Sequence, residues 1–248
     1  MGLQVLPADL GTGVLAGFTR RVGGSSTGDH DGLNLALHVG DEPSTVRRHR
    51  DLVEKWAEAS VQYLQQVHGT AVGVAPAAGP AHPEPTADAL LSTVPQVAAA
   101  VLVADCVPIL LADRQAGVVA AVHAGRVGLV GGVVQASVAA MVLAGARPGR
   151  VVAALGPAAG PCCYEVGEQL RSEVAAAVPQ TWASTRWGTA SVDLRAGCAA
   201  VLAELGVRMV SLVGGCTIED ESFYSYRRAT AAGGGRTGRF AGVVRLLP

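Results

Sequence analysis

The apolar positions of this chain fall into short unbroken runs rather than alternating ones. Residues 97–103, 107–112 and 118–122 read VAAAVLV, VPILLA and VVAAV, apolar at every position and rich in β-branched side chains. Runs of this kind belong to strands covered by another layer on each side. Further strands are expected over residues 61–67, 71–75, 89–91, 151–155, 207–213, 223–226 and 240–246. Helical spacing governs 127–146, where Val130, Val134, Val138, Met141 and Val142 recur on one face, and also 168–178 and 194–205. A charged helix is expected over residues 44–59 with Ser44 as its N-cap. Residues 1–40 carry short apolar runs broken by turn signals such as Gly23-Gly24-Ser25-Ser26 and Asp31-Gly32. Residues 76–85, four of them proline, read as a surface loop. No linker parts the chain and no fixed repeat occurs, so residues 1–248 are expected to form one α/β domain.

Composition narrows the partners. Half of the 248 residues are apolar, enough for a large core. Only 16% are charged and the formal net charge is -1. That leaves no broad basic field for a nucleic acid polymer or an anionic membrane, although a single nucleoside remains compatible. The uncharged stretch between Arg126 and Arg147 approaches the length of a bilayer helix. Gly128, Gly131, Gly132, Gln135 and Ser137 interrupt it, and no Trp or Tyr anchors its ends, so a buried helix and no membrane partner are expected. Five cysteines without a C-x-x-C pair, and no visible export signal, point to reduced thiols in the cytoplasm. Cys162 and Cys163, adjacent in sequence, read as packing residues. Eighteen arginines stand against one lysine, Lys55. A lysine phosphate loop is thereby excluded, and any anion must be held by arginine forks or backbone amides. The glycine-rich segment ending at Arg239 is a candidate for that role or a plain hairpin tip.

The candidate chemistry lies with His68, Cys106 and His123, read as the ends of three strand-like runs. Two nitrogens and a thiolate would leave a fourth tetrahedral position open, as in a catalytic zinc site. The plain alternative is two surface-bonded histidines and a small buried cysteine. Asp105, beside Cys106 at a break between apolar strands, needs a partner to be tolerated there. His123 runs into Ala124-Gly125, where glycine lets backbone approach a ligand closely. Zinc would lower the pKa of a bound water. A thiolate at Cys106 with His123 as base would instead serve a cysteine hydrolase. Multicopper redox chemistry fails on ligand count, because the chain has six histidines and no H-x-H.

These residues stand within a longer series of blocks. Gly17–Gly24, Leu33-Asn34-Leu35, His38–Asp41, Gln66-Val67-His68-Gly69, Ala87–Leu90, Ala104-Asp105-Cys106 and Val122–Gly125 come first. Gly156-Pro157, Gly160–Gly167, Asp193-Leu194, Cys216-Thr217, Phe223–Arg228 and Thr237-Gly238-Arg239 follow. In this order the chain resembles, almost end to end, the laccase-domain or polyphenol oxidase family of zinc-dependent purine nucleoside phosphorylases. The resemblance implies a single-domain sandwich of mixed β-sheets flanked by helices, similar to cytotoxic necrotizing factor-like folds. It implies zinc on His68, Cys106 and His123, with Cys106 and His123 catalytic. It implies phosphorolysis of adenosine, inosine, guanosine and methylthioadenosine to base and ribose 1-phosphate, with adenosine deamination as a side activity. Arg21, Asn34 and Arg239 fall on positions expected to contact substrate or phosphate. Asp88 is a candidate proton shuttle for the deamination or, alternatively, a turn-capping aspartate. A zinc or cysteine amide hydrolase, including cell-wall precursor editing, is the competing activity. One departure is Arg126-Val127-Gly128, where the family continues with Trp-Arg-Gly.

Overall fold

The computed structural model describes residues 2–76, 83–207 and 209–248. The first half of the chain supplies β1 (Val5–Pro7), β2 (Val14–Thr19), α1 (Pro43–Ala57), β3 (Ser60–Gln62), β4 (Val72–Val74), β5 (Ala89–Ser92) and β6 (Val97–Val103). Next come β7 (Val107–Asp113), β8 (Val118–Ala124), α2 (Arg126–Gly131), α3 (Val133–Leu143), β9 (Val152–Leu155) and α4 (Glu168–Ala177). A small hairpin, β10 (Trp182–Ser184) and β11 (Ala190–Val192), precedes α5 (Leu194–Glu204) and β12 (Met209–Leu212). α6 (Tyr226–Ala231) and β13 (Phe240–Leu246) close the chain.

Two mixed sheets carry the architecture, in the orders β1-β2-β13-β6-β3 and β12-β9-β7-β8-β5-β4. Parallel pairing joins β3 to β6, β4 to β5 and β9 to β12, and the other neighbours run antiparallel. The apolar runs explain how the sheets stack. Successive side chains point to opposite faces of a strand. Along β6, Val97, Ala99 and Val101 join the core between the sheets, whereas Ala98, Ala100 and Leu102 join the core under α1. Along β7, Leu110 and Ala112 face the other sheet while Val107, Ile109 and Leu111 face the helices α2, α3 and α5. The result is an α/β single-domain sandwich of helix, sheet, sheet and helix layers, as expected.

Several local expectations change. α1 begins at Pro43 with Glu42 as its cap, whose carboxylate accepts the Ser44 N–H at 3.2 Å, so Ser44 is inside the helix. The helix expected over 127–146 is two helices. Gly132 adopts φ 96°, a left-handed conformation that ends α2 and redirects the chain into α3. The strand expected over 223–226 is absent. Phe223 and Tyr224 are buried beside Phe240, and Ser225 then caps α6 by accepting the Arg228 N–H at 3.1 Å. The 61–67 run keeps regular strand pairing through Gln62, followed by a single parallel bridge from Gln65 to Thr86. β1, β2, β10 and β11 are further strands that the apolar runs did not announce. Residues 77–82 of the proline-rich segment and Arg208 lie outside the described residues.

Candidate metal centre

His123 occupies β8 with its ring almost fully buried. Asp88, immediately before the neighbouring β5, bonds to it twice. The Asp88 carbonyl accepts the His123 N–H at 2.7 Å, and Oδ1 accepts from Nδ1 at 2.8 Å. With Nδ1 engaged there, Nε2 is the nitrogen available to a ligand. The same carboxylate accepts the backbone N–H groups of His68 at 2.9 Å and Gly69 at 2.6 Å, and that of Val67 at 3.3 Å. Asp88 thus fixes both histidines, one by its ring and the other by its backbone.

His68 sits in the loop after β3, not at a strand end as read from the sequence. Its φ is 60°, uncommon for a residue with a side chain. Gln66 secures the other side of this loop by donating to the Leu102 carbonyl at 2.8 Å and accepting the Leu102 N–H at 2.7 Å. Leu102 belongs to β6, whose end leads into the turn carrying Cys106. Asp105 in that turn has φ 93°, and its carboxylate is fully engaged. Thr217 Oγ1 donates to Oδ1 and the Arg227 N–H to Oδ2, both at 2.6 Å. Those are the partners that a carboxylate between apolar strands requires.

The three expected ligands converge. Ligand atoms of His68, Cys106 and His123 lie within 4.8 Å of one another, and Cys106 Sγ is 3.8 Å from His68 Nε2. Tetrahedral zinc, with sulfur at about 2.3 Å and nitrogen at about 2.0 Å, separates such a donor pair by about 3.6 Å. The two imidazoles meet edge to face with centroids 4.8 Å apart. Gly125 is the floor of this group: a Cβ there would come 2.8 Å from His68 Cδ2 and 3.0 Å from Cys106 Sγ. The donor set, its spacing and the carboxylate behind His123 all fit a metal with three protein ligands.

Without metal the charges favour an ion pair. Burial pushes the Cys106 thiol up, but the charge of His123 and hydrogen bonds from both histidines outweigh it and bring the thiol to about 6. Burial pushes His123 down, and the negative Cys106 together with the Asp88 bond raises it to about 9. A metal ion would take the place of the proton held between them.

The group opens onto a cavity of about 440 Å³. Its wall includes His38, Tyr164, Tyr226, Arg227 and Arg239 along with the three converging residues. Of the three residues expected to bind substrate, Arg239 is on this wall. Arg21 and Asn34 are not on that wall. Arg21 donates to the Asp31 carbonyl at 2.7 Å and lies over the Tyr224 ring. Asn34 is fully buried, with its amide nitrogen donating to Ala36 O and Asp41 Oδ2 and its oxygen accepting the N–H groups of Ala36 and Arg239. No bonding capacity of that amide is left for a substrate. Asp88 is likewise fully buried behind the histidines and off the cavity wall, and its bonds to the N–H groups of residues 67–69 are those of the turn-capping alternative. Arg227, Tyr226 and His38 were passed over as individual site residues. No local pattern marks the first two, because the Arg227 N–H meets Asp105 across 122 positions.

Comparisons with known proteins place the chain in a family. Residues 15–247 match the family model described as multi-copper polyphenol oxidoreductase laccase. A Streptomyces coelicolor protein named purine nucleoside phosphorylase is 46% identical over 241 residues, covering 96% of this chain and 98% of that one. One from Corynebacterium glutamicum with the same name is 45% identical, covering 92% and 93%. Among solved structures, Neisseria meningitidis protein NMB0706 superposes with a TM-score of 0.86 at 35% identity, over 100% of both chains. YlmD from Geobacillus stearothermophilus gives 0.84 at 29% identity, over 96% and 93%. With a family match across nearly its whole length and relatives this similar, the chain belongs to the laccase-like polyphenol oxidase family, whose relatives here carry the name purine nucleoside phosphorylase.

Proposed function

We propose that this protein is a zinc-dependent purine nucleoside phosphorylase acting on adenosine, inosine, guanosine and methylthioadenosine, with adenosine deamination as a side activity. One observation carries the reading: two histidines and a cysteine converge at the wall of a cavity that also presents two arginines. Zinc on His68, Cys106 and His123 would supply Lewis-acid polarisation at the cavity edge. The protein's own groups account for the remaining requirements. Arg227 and Arg239 hold phosphate by charge-assisted bonds and orient one of its oxygens toward C1′ of the ribose. That oxygen forms the new bond to C1′ as the bond to the purine breaks. The purine leaves with the bonding electrons and takes up the proton that the hydrogen phosphate gives up as it becomes the ester. Tyr164 and Tyr226 offer aromatic surface for the base. His38 is lowered from its ordinary value by burial and by Arg239, so it stays neutral near pH 7 and can hydrogen-bond without adding charge. Asp88 acts as a positioning residue that keeps the His123 tautomer and the His68 loop in place. Asn34 positions Arg239 through its backbone, and Arg21 supports the same side of the fold from outside the cavity.

The sequence net charge of -1 supports small-molecule partners over nucleic acid polymers. No helix among the described residues is long and apolar enough to cross a membrane. Five unpaired thiols support a cytoplasmic setting. The deciding experiment incubates purified protein with inosine, with and without phosphate. Phosphate-dependent release of hypoxanthine and ribose 1-phosphate, lost on chelation, is the expected result. Activity indifferent to both phosphate and chelator would end this reading.

The Cys106–His123–Asp88 alignment favours a second reading, a thiol amide hydrolase that includes cell-wall precursor editing. Its sign is phosphate-independent cleavage of an amide in a peptide-bearing nucleotide, abolished in Cys106→Ser while zinc is retained.

A further inference from the structure

A second group of metal-compatible side chains lies apart from His68, Cys106 and His123. Cys162 and Cys163 follow β9, and Cys216 and Glu219 follow β12, the parallel neighbour of β9. A bridge between Ala158 and Cys216 keeps the two loops side by side beyond the strand ends. One ligand atom from each of the four residues lies within 4.8 Å of all the others. The three cysteines are half-buried and unpaired, and Glu219 is exposed.

The sulfurs stand in polar surroundings. Cys162 Sγ is 3.2 Å from Glu219 Oε2, while Glu219 Oε1 is bonded to Arg186. The carboxylate thus turns one oxygen to the sulfurs and the other to a cation. Arg186 also reaches Cys163 Sγ at 3.4 Å, and the Gly160 N–H donates to Cys216 Sγ at 3.2 Å. Backbone and guanidinium donors at thiolates and carboxylates are the outer partners that orient metal ligands. Gly160 presses on the group so closely that a Cβ would stand 3.0 Å from Cys216 Cβ and 3.3 Å from Cys162 Sγ. A disulfide would use two of the sulfurs and leave the third sulfur and the carboxylate without a role.

We propose that Cys162, Cys163, Cys216 and Glu219 form a second zinc site, closed by four protein ligands and structural in purpose. Three thiolates select a thiophilic divalent cation, and four ligands leave no position for substrate. The ion ties the loop after β9 to the loop after β12. The first loop carries Tyr164 of the cavity wall, and the second carries Thr217, whose hydroxyl reaches Asp105 beside Cys106. Through these residues the second ion holds the wall and the Cys106 turn in register.

The test is metal stoichiometry, independent of turnover. Protein stripped with chelator under reductant is titrated with Co²⁺, and zinc-loaded protein is analysed for metal after dialysis. Wild type is expected to bind two ions per chain. His68→Ala/His123→Ala is expected to keep one, with the intense sulfur-to-cobalt charge-transfer absorption of a multi-thiolate site. Cys163→Ser/Cys216→Ser is expected to lose that ion and keep the other. Wild-type protein that takes up one ion or none without the multi-thiolate cobalt absorption overturns the proposal, and this readout needs no variant to fold. An intact disulfide from Cys216 to Cys162 or Cys163, found by non-reducing mass spectrometry after alkylation of zinc-loaded protein, overturns it as well. Phosphate-dependent nucleoside cleavage is a separate readout, so failure here is distinguishable from failure of the phosphorylase reading.

Discussion

Asp88 Oδ1 stands 2.8 Å from His123 Nδ1 while the same carboxylate accepts the backbone N–H groups of His68 and Gly69. Asp88→Asn retains the shape but removes the charge and turns an amide N–H₂ toward backbone donors. Burial pushes the Asp88 carboxyl up, and the His123 and Gly69 bonds more than offset this, leaving it below the ordinary carboxylate value. The wild-type group is thus ionised at neutral pH. Loss of such an outer partner weakens metal binding about 10–100-fold. Competition against a chelator of known affinity measures it. Unchanged zinc affinity in Asp88→Asn would show that the carboxylate does not support the ligands.

Gly125 separates steric from backbone effects. Its φ of -78° is open to any residue, so Gly125→Ala adds no backbone strain. The new methyl meets His68 and Cys106 instead, at 2.8 and 3.0 Å. Displacing a reacting group by about 1 Å can cost about 100-fold in rate. We expect kcat/KM for nucleoside to fall on that order while the thermal midpoint changes little. A variant equally impaired in stability and turnover would point to a packing role.

The sequence made the layers legible because β6, β7 and β8 are buried on both faces, and their unbroken apolar runs admit few other structures. The three ligands were legible as residue types, as each breaks an apolar context at a place where packing gives no reason for it. Their supports were not. Asp88 reaches His123 across neighbouring strands, and Gln66 reaches Leu102 across 36 positions. Such pairings follow from strand register, which no local pattern encodes. Asn34 shows the opposite error. Its place in a recognisable block suggested contact with substrate, whereas its four bonds serve the fold. The break at Gly132 was missed because the residues on either side keep helical apolar spacing, and only the φ of one glycine redirects them.

Arg239 and Arg21 give a matched comparison. Arg239 lies on the cavity wall and Arg21 does not. A hydrogen bond to a charged group contributes about 1.5–3 kcal/mol, equivalent to about 10–100-fold in affinity. Arg239→Ala is therefore expected to raise KM for phosphate by that factor. Arg239→Lys recovers only part of it, since an ammonium lacks the planar fork. Arg21→Ala leaves KM for phosphate near the wild-type value. Steady-state kinetics with phosphate as the varied substrate decides, and equal effects at the two positions would contradict this assignment of the anion site.

Asp113 predicts how stability responds to acid, away from the metal centre. It ends β7 with its side chain about 1% exposed and accepts from Arg147 N–H and Arg150 Nε, both at 2.9 Å, and from the N–H groups of Gln115 and Ala116. Burial raises its pKa, but these bonds and the Arg150 charge more than compensate, so the folded value lies below the ordinary 3.8. A carboxylate lowered on folding contributes its full stabilisation above the unfolded value and loses it as pH falls through the folded one. Asp113→Asn cannot make that contribution. The difference in thermal midpoint between wild type and Asp113→Asn should therefore be constant from pH 7 to about pH 5, then shrink as the pH drops below about 4. Midpoints followed by circular dichroism across that range provide the check. A gap that persists undiminished at the acid end would mean the pair differs in packing rather than in charge.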